Sequence, residues 1–138
     1  LETLIKDCGL YKSKAKNLIA TCQILVDRYH GEVPREFDQL VELPGVGRKT
    51  ANVVVSVLFG TPAIAVDTHV FRVSNRLKLG IAKTPEEMEQ KLQKAIPKKD
   101  WAAAHHWLIY HGRRLCKARK PLCNECFLNH LCPSAGKV

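Results

Sequence analysis

Residues 43–51, Leu43-Pro44-Gly45-Val46-Gly47-Arg48-Lys49-Thr50-Ala51, constrain the fold more than any other stretch. A helix-like run, Pro34 to Val41, precedes them. Ala51 to Phe59 follows with helical length and a stop at Gly60. Two helices are therefore joined by a tight turn with glycines two residues apart. Glycine reaches positive φ and leaves room for another backbone to come close. At a helix start such a turn directs N–H groups outward, at the positive end of the helix dipole, which makes a phosphate site. A Gly-x-Gly turn also joins helices that bind nothing, so the stretch alone leaves both readings open.

Lys49 falls in the first turn of the second helix. Arg48 and the helix N-terminus both disfavour a second positive charge beside them, which biases the amine towards its neutral form. A neutral amine attacks a sugar C1′ and forms a Schiff base. The plainer role is one more phosphate contact from a surface lysine, and position alone leaves that role standing.

Charge points the same way. The 138 residues carry 22 Lys+Arg against 13 Asp+Glu, a net charge of +9, which suits a polyanionic partner. A hydrophobic content of 46% excludes a disordered tail, and the length allows one modest domain or two very small ones. No apolar run is long enough to span a bilayer and no signal-peptide pattern opens the chain, so the expectation is a soluble intracellular protein. The chain opens at Leu1, inside what reads as a helix, and an upstream portion is expected.

The remaining pattern is helical. Leu1 to Cys8 reads as the tail of a helix stopped by Gly9, and Ser13 as the N-cap of a second helix over Lys14 to Tyr29. Between them lies Gly9-Leu10-Tyr11, where Leu10 either packs in the core or wedges into a base stack. The apolar run Ala63 to Val66 ends at Asp67, the expected N-cap of a helix over Val70 to Leu77. An aspartate there can also face a cleft, where the helix dipole favours its negative charge and it can deprotonate a nucleophile or stabilise a cationic sugar. Thr84-Pro85-Glu86-Glu87 opens a helix to Ile96, and Asp100 caps another from Trp101 to Leu115. His105, His106 and His111 lack a metal-ligand spacing and read as packing or supporting polar residues. Arg113, Arg114, Lys117, Arg119 and Lys120 form a basic run suited to phosphates. No segment alternates as a strand does, so the fold class is all-α.

Of six cysteines, Cys8 and Cys22 fit helical apolar patterns and are expected to be small buried hydrophobes. The others form Cys116-x6-Cys123-x2-Cys126-x5-Cys132, a clustering that suits metal rather than disulfides. Four thiolates can hold zinc or a [4Fe–4S] cluster. Only Cys123 and Cys126 form a zinc-type knuckle, and the wider outer spacings suit the larger cluster, with zinc the alternative. Four protein ligands leave no open coordination position for a substrate.

Three stretches in order carry a resemblance. Leu43 to Ala51, then Val66-Asp67-Thr68-His69, then the cysteine spacing of six, two and five resemble the endonuclease III family, bifunctional DNA glycosylase/abasic-site lyases of the helix-hairpin-helix superfamily. The resemblance runs from Gly9-Leu10-Tyr11 to Cys132. It implies base excision repair of oxidised or ring-saturated pyrimidines and of abasic sites in double-stranded DNA. It implies Lys49 as the Schiff-base lysine and Asp67 as the acidic residue of glycosidic cleavage. Cys116, Cys123, Cys126 and Cys132 become [4Fe–4S] ligands. Leu10, Leu43, Gly45, Val46, Gly47, Arg48 and Thr50 become DNA contacts, Leu10 as a wedge. The related adenine-mismatch glycosylase lacks the lysine, so Lys49 argues against it.

The organisation implied is a partial helical-barrel domain over 1–61, with the helix-hairpin-helix at about 36–59, and a helical iron–sulfur domain over 62–138 with its cluster loop at 116–132. The expected protein is a cytoplasmic, nucleoid-associated monomer. Family members carry further barrel helices before the position of Leu1, and this is where the sequence departs from the family pattern. A different class keeps the same motifs: a non-catalytic DNA-binding module with a metal-stapled basic loop.

Overall fold

The computed structural model describes all of Leu1–Val138 and is helical throughout, with no strand. Six α-helices follow in order: α1 (Tyr11–Tyr29), α2 (Phe37–Val41), α3 (Arg48–Phe59), α4 (Thr68–Leu77), α5 (Pro85–Ala95) and α6 (Trp101–Arg114). No helix is long and apolar enough to cross a membrane. The backbone divides into two compact units, Leu1–Ala51 and Asn52–Val138.

In the first unit the expected leading helix is only a short 3-10 turn, Glu2–Ile5. The second helix starts earlier than Ser13 suggests. Leu10 holds the N-cap position in the left-handed region, and its carbonyl already accepts the Lys14 N–H at 3.0 Å. Ser13 therefore lies inside the first turn, and its hydroxyl has no capping to do. The helix ends in a left-handed His30 followed by Gly31 at φ +84°. The run from Pro34 is helical only over Phe37–Val41, because Glu36 is extended.

Cys8 and Cys22 are exposed, against the expectation that they are buried. On α1 only Ala15 is fully buried, while Leu18, Ile19 and Val26 of the apolar stripe are exposed. The periodicity of α1 is real, but burial needs a partner. Within this unit the turn Glu2–Ile5 packs against the helix and the Thr21–Pro44 bond ties it to the hairpin turn, and these contacts leave Leu18, Ile19 and Val26 uncovered.

The second unit holds the larger core, built from Ile64, Val66, Val70, Val73, Met88, Leu92, Ala104 and Leu108. α4 and α6 form its main pairing. Gly112 lets them approach: a Cβ there would sit 3.0 Å from a Val73 methyl and 3.1 Å from the His69 Cβ. Caps follow the sequence closely. Thr84 accepts from the Glu87 N–H at 3.2 Å, and Glu87 returns a bond to the Lys83 N–H at 2.9 Å. Asp100 occupies the N-cap position of α6, but its side chain makes no cap bond; the 3-10 turn Lys98–Asp100 leads directly into the helix.

Candidate functional site

The hairpin turn lies between α2 and α3. Leu43 is buried and anchors it, and the Val46 N–H closes it on the Leu43 carbonyl at 3.0 Å. The Thr21 hydroxyl donates to the Pro44 carbonyl at 3.2 Å, which ties the turn to α1. The two glycines differ in what they do. Gly45 has φ +77°, and a Cβ there would fall 2.5 Å from Asn17 Nδ2. The fold itself therefore needs Gly45. Gly47 has an ordinary φ, and a Cβ there would meet nothing within 4 Å. Its missing side chain serves no internal packing and leaves open space at the start of α3.

That start is unencumbered. Ala51 donates to the Gly47 carbonyl at 3.0 Å, so the Lys49 and Thr50 N–H groups lie ahead of the first such helical bond. Lys49, Thr50, Gly45 and Gly47 are exposed, and Val46 is half-buried. The Arg48 guanidinium lies 5.1 Å above the Phe37 ring. A cleft of about 360 Å³ runs beside the turn, walled by Lys14, Asn17, Thr21, Gly45 and Thr50 among others. Leu10 is 81% exposed at φ 59°, so it is not a core residue. A leucine in the left-handed region is strained, and strain at an exposed position points to use.

In the second unit Asp67 ends the buried run Ala63 to Val66 and is half-buried. As expected, it caps α4: Oδ1 accepts from the His69 and Val70 N–H groups, both at 2.8 Å. Both cap bonds fall on Oδ1, and Oδ2 takes no part in the cap. The run before it is fixed by His105, buried on α6, which donates from Nδ1 to the Ala65 carbonyl at 2.8 Å. His106 is exposed, as are Arg113, Arg114, Lys117, Arg119 and Lys120.

Cys116, Cys123, Cys126 and Cys132 line one recess after α6, with two 3-10 turns, Cys123–Glu125 and Asn129–Leu131, folding the loop around it. All four thiols are free of disulfides. No three Cys, His, Asp or Glu side chains converge closely enough to hold a single metal ion. Four thiol donors around one recess are a donor set that fits a [4Fe–4S] cluster. His111 approaches Cys126 Sγ at 3.8 Å, and its burial lowers the imidazole pKa below the ordinary histidine value.

Two arginines that sequence reasoning missed hold this loop. Arg72 donates to the Cys116 carbonyl from Nε at 3.2 Å and to the Gly112 carbonyl from Nη2 at 2.9 Å, and its Nη2 meets His69 Nδ1 at 3.2 Å. Arg76 donates to the Lys117 and Ala118 carbonyls at 2.6 and 3.1 Å. The only sequence signal was two arginines at i and i+4 on α4, one face away from its valines.

Comparison with known proteins places the chain in a family. The HhH-GPD superfamily of base excision DNA repair proteins matches residues 1–98. The iron-sulfur binding domain of endonuclease III matches residues 116–132, so the loop is an iron–sulfur domain. Endonuclease III of Rickettsia conorii is 55% identical over 96% of this chain, and that of Escherichia coli K12 is 52% identical over 100%. The chain spans 63% and 65% of those relatives' lengths. A solved endonuclease III–DNA complex, a trapped covalent intermediate with an estranged adenine, superposes with a TM-score of 0.92 at 54% identity, covering 98% of this chain and 64% of that one. The chain belongs to the HhH-GPD superfamily of base excision DNA repair proteins and, within it, to the endonuclease III family.

Proposed function

We propose that the chain works as a DNA glycosylase of base excision repair that removes oxidised or ring-saturated pyrimidines and cuts the abasic strand as a lyase. The observation that carries this reading is the start of α3. There Lys49 is exposed two residues past Gly47, whose missing Cβ faces open space, so a DNA backbone has room to come close to the amine.

The N–H groups around Gly45, Gly47 and Thr50 grip a phosphate beside the lesion, with the positive end of the α3 dipole behind them. Leu43 and Val46 shape the turn, and Arg48 adds positive charge. The damaged base leaves the stack because its C1′ is out of reach inside the duplex. Unstacking costs a few kcal/mol and is cheapest at a damaged pair. Leu10 fills the gap as a wedge.

The Lys49 amine attacks C1′ and the glycosidic bond breaks, its electron pair leaving with the base. Asp67 Oδ2 takes a proton or faces the positive charge that develops on the sugar. The C1′–O4′ bond then breaks, O4′ takes a proton, and the nitrogen lone pair closes the C=N bond of the protonated Schiff base. Abstraction of a 2′ proton then expels the 3′ phosphate oxygen, which cuts the strand 3′ to the site by β-elimination.

Cys116, Cys123, Cys126 and Cys132 hold the [4Fe–4S] cluster, which with four protein ligands supplies structure rather than a reactive site. It staples the loop that displays Lys117, Arg119 and Lys120 to phosphates. The partner is duplex DNA carrying a damaged pyrimidine or an abasic site.

Incubation with a duplex holding one abasic site tests the reading: strand scission at that site is expected. Salt-sensitive duplex binding with no scission identifies a non-catalytic DNA-binding module instead.

A further inference from the structure

We infer that Arg76 sets the redox poise of the iron–sulfur centre and the retention of its cluster, by reaching both ends of the ligand loop from α4. Its Nη1 donates to Cys116 Sγ at 3.4 Å. Its own carbonyl accepts the Ser134 hydroxyl at 2.8 Å and lies 3.9 Å from Cys132 Sγ. One residue thus holds both ends of the loop: its side chain reaches the first ligand sulfur, and its carbonyl anchors Ser134, two residues past the last cysteine.

Three further observations give this contact weight. Arg76 is the one arginine or lysine lining the recess; the other lining residues are the four cysteines, apolar side chains, Asn129, Ser134 and His111. The guanidinium is immobilised, because Nη1 and Nη2 also hold the Lys117 and Ala118 carbonyls. It is half-buried, so water screens it less than the exposed Arg113, Arg114 or Lys117.

The thiol of Cys116 stands here for a ligating thiolate, on the reading that the four cysteines hold the cluster. A charge-assisted bond to a ligand sulfur withdraws electron density and stabilises the more reduced state of the cluster, since reduction adds negative charge beside a fixed cation. Bonds to the next two carbonyls keep the chain from peeling away after Cys116. The surface arginines and lysines of the loop reach no ligand sulfur and cannot substitute.

The test uses the iron-loaded protein. Iron and sulfide are assayed first; their absence from the wild type defeats the ligand reading itself, separately from the role of Arg76. Midpoint potential is then measured by voltammetry, and cluster loss in air by bleaching of the visible absorbance. Arg76→Met is expected to shift the oxidised-to-reduced ratio at fixed poise about tenfold towards oxidised, roughly 59 mV for a one-electron couple, and to lose its cluster several-fold faster. Arg113→Gln, a loss of equal charge away from any ligand sulfur, is expected to match the wild type. A wild-type potential in Arg76→Met, or an equal shift in Arg113→Gln, overturns the inference. Should Arg76→Met fail to take up iron, Arg76→Lys decides. One ammonium cannot serve the sulfur and two carbonyls together, so a wild-type potential and wild-type Fe–S stretching frequencies in that variant contradict the inference, and a shift in either supports it.

Discussion

The carboxylate of Asp67 accepts the Val70 N–H at 2.8 Å with the same oxygen that accepts the His69 N–H, so the structural and chemical duties of this side chain fall on different atoms. Asp67→Asn keeps an oxygen for both cap bonds and replaces Oδ2 with an amide. It should unfold within about 0.5 kcal/mol of the wild type yet lose base-excision activity by a factor of about 10²–10⁴. Asp67→Ala should lose activity equally and cost about 1 kcal/mol more in stability, from the missing cap. Denaturant melts paired with single-turnover excision assays separate the two effects.

The two hairpin glycines should also separate. Gly45→Ala meets both a positive φ and the Asn17 amide and should destabilise the fold by about 1–3 kcal/mol. Gly47→Ala meets neither and should unfold within about 0.5 kcal/mol of the wild type. Its methyl instead occupies the space left for a DNA backbone, so its affinity for abasic duplex should fall by about tenfold, the equivalent of 1.4 kcal/mol. Wild-type binding by Gly47→Ala removes the phosphate grip from this turn.

Leu10 offers a test in which stability and function move in opposite directions. Asparagine accepts the left-handed region better than leucine, so Leu10→Asn should stabilise the chain by a few tenths of a kcal/mol, up to about 1. The same change removes the apolar wedge and should slow excision from duplex DNA more than from single strands. Equal slowing on both substrates leaves Leu10 with no wedging role.

Ser74 is fully buried on α4, and its hydroxyl has no hydrogen-bond partner. Removing an unsatisfied buried hydroxyl relieves its desolvation, so Ser74→Ala should be neutral or stabilise by up to about 1 kcal/mol. A cost above that range, read from thermal melts, signals a partner for the hydroxyl.

What could be read from the sequence was whatever depends on local chemistry. Asp67 announces itself as a cap because an apolar run stops there and a helix begins, and Gly45 and Gly47 mark the turn because only a tight reversal fits between two helical runs. The cysteine spacing survives because ligands of one cluster must lie close along a short loop. Properties that depend on distant partners were not legible. Cys8 and Cys22 follow a helical period, but exposure depends on what packs against α1. The start of that helix was missed because Leu10, not a capping side chain, makes the entry turn through its backbone. Arg72 and Arg76 went unnoticed because their acceptors are mostly main-chain carbonyls 40 or more residues away, which no side-chain pattern encodes.

The account turns on the Lys49 amine as the nucleophile, and borohydride trapping on a duplex with a single abasic site tests that most directly. Hydride reduces the iminium to a stable secondary amine, so a covalent protein–DNA band is expected from the wild type and none from Lys49→Gln, with duplex binding retained in both. An undiminished covalent band from Lys49→Gln, or a wild type that binds the abasic duplex and is never trapped, contradicts the account.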